Sequence, residues 1–420
     1  MDRHRNHRLK LNKIIPNKLS KVKVPNPGKI KLSKKPVKNY NIEQFYKLKA
    51  VLNAKKSEMD KFYIDKNTGE KFSQMTNALR ITNQLRFDIE NEYNGQHVTR
   101  AWLKFYELFV HFGLSDNGDR LRVFFNAELP GAGICSINHL MKTYYSNVNY
   151  SWIANSLVVG NDIDEKINAL GDQYGIWANN KDKWLMDVDQ RGDRKNNNGD
   201  VTNLDNILDM KARIGDDKPD VVTHDAGIDV SFVIDDLDEQ TGFNTQEYKN
   251  MKIHFGCALT AFETLKLGGD FMAKQYTFFE SFTINLILIY ASMFEEFYIC
   301  KPITSGQSNS EIYLIGKRFT GMSDDIAKIF RDRLVNWNTD PFFGEEELAK
   351  HSEALSEIER YCRMRNTEQI QYINESIQIF KESKGNVGAV KSYMRDILKV
   401  FSNNWIQLYK PRKITNSDHI

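Results

Sequence analysis

Residues 120–140, RLRVFFNAELPGAGICSINHL, run from an apolar, aromatic stretch through a Pro-Gly-Ala-Gly bend into a segment of helical spacing. The first part suits a buried strand. The bend lets backbone approach a ligand at the carboxyl end of that strand, against the first turn of a helix. A nucleoside-containing cofactor fits such a place. A tight strand-to-helix turn also needs glycine for its own geometry, so the turn alone decides nothing. The Gly-x-Gly-x-x-Gly spacing of the dinucleotide fingerprint is missing, which disfavours NAD.

Outward from this stretch, short apolar runs recur at 152–162, 218–227, 268–276, 294–302 and 312–319, with amphipathic segments such as EYKNMKIHFGCALTAFETLKLGG between the later ones. Strands alternating with helices predict an α/β fold: a Rossmann-like, mostly parallel sheet with helices on both faces. Residues 41–112 and everything after about 323 show three-and-four spacing and predict a helical N-terminal region and a helical C-terminal appendage. The domain reading is a basic, disordered arm over 1–40, helices over 41–95, the α/β domain over 96–322 and a helical extension over 323–420.

Of 420 residues, 41% are apolar and 27% charged, ordinary globular values. The longest apolar stretch, FTINLILIYASMF at 282–294, is too short to span a bilayer and reads as a buried helix. The four cysteines are far apart without metal spacing, and no secretory signal is visible, so an intracellular, reducing compartment is expected. Net charge hides an asymmetry: residues 1–38 carry 13 Lys or Arg against Asp2, leaving 45 basic and 54 acidic residues elsewhere. Such an arm has too little apolar content to fold alone and suits contact with nucleic acid, or a nuclear address, as well as plain solvation.

Four ionisable residues stand out. Asp225 ends the run VVTHDAG, where it either faces the mouth of the sheet or caps the next helix. Lys274 ends GGDFMAKQY, where a buried lysine is costly unless it finds carboxylates. Glu311 stands at the start of IYLIGKRF, after the loop KPITSGQSNS, as an edge residue or as part of a site. Lys104, in RAWLKFYELF, reads by itself as a solvated helical lysine.

Together, Lys104, Asp225, Lys274 and Glu311 resemble, in chain order, the Lys-Asp-Lys-Glu tetrad of the FtsJ-like (RrmJ-like) ribose 2′-O-methyltransferases. AELPGAGICSINHL, WIANSL and GDVTN are similar to landmarks of the Adrift-type, cap-specific branch and its relatives in large DNA viruses. The likeness covers roughly residues 95–320. It implies S-adenosylmethionine as cofactor, RNA, and capped mRNA in particular, as partner, and other capping or transcription proteins as further partners, with no membrane. Lys274 is the implied general base. Burial and Lys104 favour its neutral amine, Asp225 and Glu311 its ammonium, and the residues alone leave that balance open. Pro130, Gly131 and Gly133, with Glu128 nearby, are the implied contacts of the cofactor's methionine end. Asp225 would lie between methyl donor and ribose, and Asp200 at the adenine, with Asp162 and Asp164 competing for ribose or adenine. No metal constellation is needed or seen. Asn-, Lys- and Ile-rich composition suits an AT-rich, viral genome, hence a cytoplasmic and virion setting, with the nucleus as alternative. Two other functions stay compatible with the residues: an inactive RNA-binding scaffold that retains the fold, and a methyltransferase of uncapped RNA. Trp102, Trp152, Trp177 and Trp184 could stack on a base, but such residues more often fill a core.

Overall fold

The computed structural model describes residues 16, 18–33, 35, 37–116, 118–158, 172–187, 197–228 and 245–420. Seven strands form one sheet: β1 (Ser20–Val24), β2 (Arg120–Asn126), β3 (Asn149–Asn155), β4 (Val221–His224), β5 (Asp270–Gln275), β6 (Phe294–Lys301) and β7 (Ile312–Phe319). Their spatial order is β1-β6-β7-β5-β4-β2-β3. Strand β2 pairs in parallel with β3 and β4, and β4 with β5, while β7 is antiparallel to β5 and β6, and β1 to β6. Strands β2 to β6 therefore point one way, and only β7 and β1 reverse, in keeping with the mostly parallel sheet read from sequence. Strand order turns around at β2, which opens a crevice at the carboxyl ends of β2 and β4.

The helices are α1 (Glu43–Asp60), α2 (Lys66–Ala78), α3 (Thr82–Glu92), α4 (Arg100–Phe112), α5 (Ala132–Tyr144), α6 (Leu204–Ile214), α7 (Gln246–Thr264), α8 (Ser281–Ser292), α9 (Asp324–Val335), α10 (Glu345–Ala349), α11 (Ser352–Ser383) and α12 (Val387–Tyr409). Strand alternation divides the core between the two faces. Phe124, Val222 and Leu314 pack with α7 and α8 on one face, while Val123, Phe125, Tyr313 and Ile315 pack with α4, α5 and α12 on the other. The stretch 282–294 is largely the buried helix α8, and no described helix is long and apolar enough to cross a membrane. All four tryptophans weighed as base-stacking platforms are core residues, none more than 4% exposed.

Two features were not foreseen. The first concerns the arm, read as disordered over 1–40: its residues Ser20–Val24 form an edge strand on β6, with Val22 and Val24 buried. This segment does not fold alone; its backbone is satisfied by β6, and its alternating Lys and Val put the lysines outward, where Lys21 lies 5.2 Å from the Phe112 ring centroid. Second, the N- and C-terminal helices, distant in sequence, share a core. Phe72, Met75 and Leu79 pack against Phe380, Val390 and Met394, so the appendages form one helical layer beside the sheet.

Candidate active site

Lys274 lies in β5, paired in register with Tyr313 of β7, and the two therefore project to the same face of the sheet. Glu311, two residues before Tyr313, shares that face by alternation. Helix α4 packs there. It is capped by Thr99, whose hydroxyl accepts from Trp102 N at 3.2 Å, and all its residues from Trp102 to Phe109 are buried. A lysine inside such a helix requires an anion, and Lys104 finds one: its Nζ donates to both Glu311 carboxylate oxygens at 2.9 and 3.0 Å. The solvated-face reading of Lys104 taken alone is thus replaced by a buried ion pair.

The second pair forms one strand over. Lys274 Nζ lies 3.4 Å from Asp225 Oδ1 and donates to the Asp225 carbonyl oxygen at 2.6 Å. Tyr313 joins the pairs: its hydroxyl donates to Asp225 Oδ1 at 2.7 Å, and Lys104 Nζ lies 5.6 Å from its ring centroid. Burial and the charges of Asp225 and Glu311 raise the Tyr313 phenol well above its ordinary range, which keeps it a neutral donor. Burial would push the Glu311 carboxyl up, but Lys104, Lys274 and Lys301 outweigh it and hold it below the usual range. The result is a quartet of two amines and two carboxyls at the carboxyl end of the sheet.

The loop before β7 is held from three sides, by groups the sequence reading did not single out. Ser305 Oγ donates to Glu311 Oε1 at 2.7 Å. Lys301 Nζ donates to Asn309 Oδ1 and to the Asn309 and Glu311 carbonyls at 2.6, 2.9 and 2.8 Å. Glu107, one helical turn beyond Lys104, accepts from the backbone of Ile303 (2.5 Å) and Thr304 (3.1 Å), the Thr304 hydroxyl (2.8 Å) and Trp405 Nε1 (3.4 Å). The available clue was an acid at i+3 from Lys104 in an otherwise apolar helix.

The turn after β2 is built for close approach. Gly131 has φ +107°, and a Cβ there would come within 2.6 Å of Ile176 Cγ2. Glu128 is turned inward, its Oε1 accepting from Gly133 N at 2.5 Å and Ile134 N at 3.2 Å, so it caps α5. At the ends of β2 and β3, Asn126 Nδ2 and Asn155 Oδ1 are buried without a partner among the described residues, although Asn155 Nδ2 donates to Asn126 Oδ1 at 3.0 Å. Glycines in the turn, the free polar atoms and the helix start make this crevice fit a polar nucleoside-bearing cofactor. Asp200 Oδ1 accepts from Thr202 N and Oγ1, both at 2.8 Å, and thereby closes the turn before α6. Asp162 and Asp164 lie outside the described residues.

A family model described as FtsJ-like methyltransferase matches residues 97–319, just over half of the chain. The chain belongs to the FtsJ-like methyltransferase family. Among relatives of this FtsJ-like chain, a probable methyltransferase of African swine fever virus is 33% identical over 378 residues, covering 88% of this chain and 84% of that one. Cap-specific mRNA (nucleoside-2′-O-)-methyltransferase 2 of Drosophila melanogaster is 25% identical over 389 residues, 90% of this chain and 52% of its own. An uncharacterized protein of Acanthamoeba polyphaga mimivirus is 29% identical over 299 residues, 68% of this chain and 36% of its own.

Buried titrating groups give this FtsJ-like protein a defined pH response. Burial raises Glu128 to about 8, with Asp225's charge adding to it, and raises Glu107 to about 7. Each is an acid whose folded form keeps a proton that the unfolded chain loses, so stability falls as pH rises from the ordinary carboxylate range through the folded value. Burial lowers His139 and His254 to about 4, which acts in the opposite sense up to about pH 6.5 and largely offsets the acids there. Between about pH 6.5 and 8 Glu247, which burial and Glu280 raise to about 7, adds to these acids while Lys301, which burial lowers, opposes them; Glu128 and Glu107 together account for a loss of roughly 2 kcal/mol in the cofactor-free protein. Urea unfolding across this range measures it, and Glu128→Gln should flatten most of the slope; an equally steep slope in that variant would refute the assignment.

Proposed function

We propose that this chain transfers a methyl group from S-adenosylmethionine to a ribose 2′-hydroxyl of RNA, near the capped 5′ end of mRNA. The observation that carries this reading is the convergence of Lys104, Asp225, Lys274 and Glu311 in one buried and one partly buried ion pair at the carboxyl end of the sheet. The relatives named as cap-specific mRNA methyltransferases support the choice of substrate.

A ribose hydroxyl is a poor nucleophile, so the protein has two tasks, to position it and to take its proton. S-adenosylmethionine supplies the electrophilic methyl group when bound. The turn at Pro130, Gly131 and Gly133 would hold its methionine end, Asp200 its adenine, and Asp225 would stand between donor and ribose. Lys274 Nζ, which must present its neutral amine for this step, is the proton acceptor. Asp225 and Tyr313 fix its position, and as the hydroxyl proton arrives the ammonium formed is stabilised by Asp225 and Glu311. Lys104 keeps Glu311 ionised for that purpose.

Calorimetry with S-adenosylmethionine, followed by methyl incorporation into capped and uncapped transcripts of one sequence, tests the reading. Binding, and incorporation into capped RNA that disappears in Lys274→Ala, is the expected result. No binding at millimolar cofactor would sink it, and equal incorporation into uncapped RNA would transfer the activity to another substrate.

A further inference from the structure

A groove of about 330 Å³ lies between α1, α2, the start of α4 and α11, a volume suited to a small-molecule fragment. It is separate from the tetrad, but one wall is the loop from Thr304 to Ser310, whose next residue is Glu311. Gln369 of α11 fixes that wall, donating to the Ser308 carbonyl at 2.7 Å. The lining is unbalanced in charge: Lys56, Arg80 and Arg100 face a single acid, Asp60. Among the described residues neither Arg80 nor Arg100 has a carboxylate partner, whereas Arg213, Arg318 and Arg331 all do. Partial burial and the charge of Arg100 both lower Arg80 from its ordinary value. Two like charges at one groove are a cost that a bound anion removes. Beside them Tyr63 is 52% exposed, its ring held edge-on by Phe72 with centroids 5.8 Å apart.

We propose that this groove, built by α1, α2 and α11 together with the start of α4 and the loop before β7, binds a phosphate-bearing part of the RNA next to the acceptor nucleotide, with Arg80 and Arg100 on phosphate oxygens and Tyr63 under a base. The proposal rests on the RNA methyl-transfer reading. Continuity with the Glu311 loop puts the groove on the path of a strand whose ribose reaches Lys274. The phosphates come either from the triphosphate bridge of a cap or from the phosphodiesters of the strand.

Full-length protein and 3′-labelled RNA of one short sequence, carrying a 5′ cap, a 5′ triphosphate or a 5′ hydroxyl, separate these sources by fluorescence anisotropy. The double variant Arg80→Gln, Arg100→Gln should bind at least about tenfold more weakly. Its log-affinity against log-salt slope should fall by about 1.4, two single-strand phosphate contacts. Tyr63→Ala should weaken binding several-fold with the slope unchanged. Cofactor affinity by calorimetry and the thermal midpoint should stay at the wild-type values, since both arginines are exposed and unpaired. Loss for capped and triphosphate RNA alone assigns the bridge; equal loss for all three assigns the strand. Wild-type affinity and slope in the double variant would overturn the groove and leave the RNA reading standing. Failure of the wild type to bind any of the RNAs would overturn both.

Discussion

Lys274→Met should slow methyl transfer by about a thousandfold, within the roughly 10²–10⁴ that a positioned acid–base group contributes. Methionine keeps the unbranched shape, so the β5–β7 packing survives. Asp225 loses one partner but retains the Tyr313 hydroxyl at 2.7 Å and some access to water, so the cost in stability should stay near 1–3 kcal/mol. Lys274→Arg is the sharper companion. A guanidinium places a cation beside Asp225 yet cannot act as a base, so it should be as inactive as Met. Single-turnover rates at saturating cofactor and RNA, with cofactor affinity measured separately, read the effect. An arginine variant within tenfold of wild type would show that Lys274 acts only through its charge.

The second large effect belongs to Glu311. From sequence, its removal should cost activity more than folding. The structure changes this expectation, because Glu311→Ala strands Lys104 inside α4 and removes the acceptor of Ser305. Breaking a buried pair by deleting one partner costs about 3–5 kcal/mol. The single variant should therefore be both inactive and markedly destabilised. Adding Lys104→Met removes the stranded charge, and the double variant should recover most of the stability while staying inactive. Urea midpoints and methyl-transfer rates on the wild type, the two single variants Glu311→Ala and Lys104→Met, and the double variant decide the matter. A double variant no more stable than Glu311→Ala would show that the pair is not the source of the loss, and recovered activity would remove both residues from the chemistry.

The α/β architecture was legible because its signals are local: aromatic and β-branched runs, a Pro-Gly bend, and helical spacing between them. The strand β1 was not read, although Ser20–Val24 alternates lysine and valine, because the basic composition of the surrounding arm argued against any structure. What settles it is the open edge of β6, which no local pattern reports. The tetrad shows the same division. Asp225 and Lys274 could be suspected from their places at strand ends, whereas Lys104 on its own helix looked like a surface residue, and only the resemblance linked it to Glu311. Tyr313 and Glu107 were missed because their roles exist only in three dimensions: one is set by the β5–β7 register, the other by a loop nearly two hundred residues away in sequence.

The pairing of β1 with β6 also determines where the basic arm is attached. Ser20 stands opposite Lys301, at the end of the sheet where Lys301 supports the Glu311 loop, and Tyr361 of α11 donates to the Ser20 carbonyl at 3.1 Å. The point at which the sequence with six lysines and arginines joins Ser20 is therefore at the rim that holds Lys104, Asp225, Lys274 and Glu311. A short tether converts weak phosphate contacts into a high effective concentration of cations at that rim. Moving the same six charges to the carboxyl terminus would preserve the protein's net charge and forfeit that advantage.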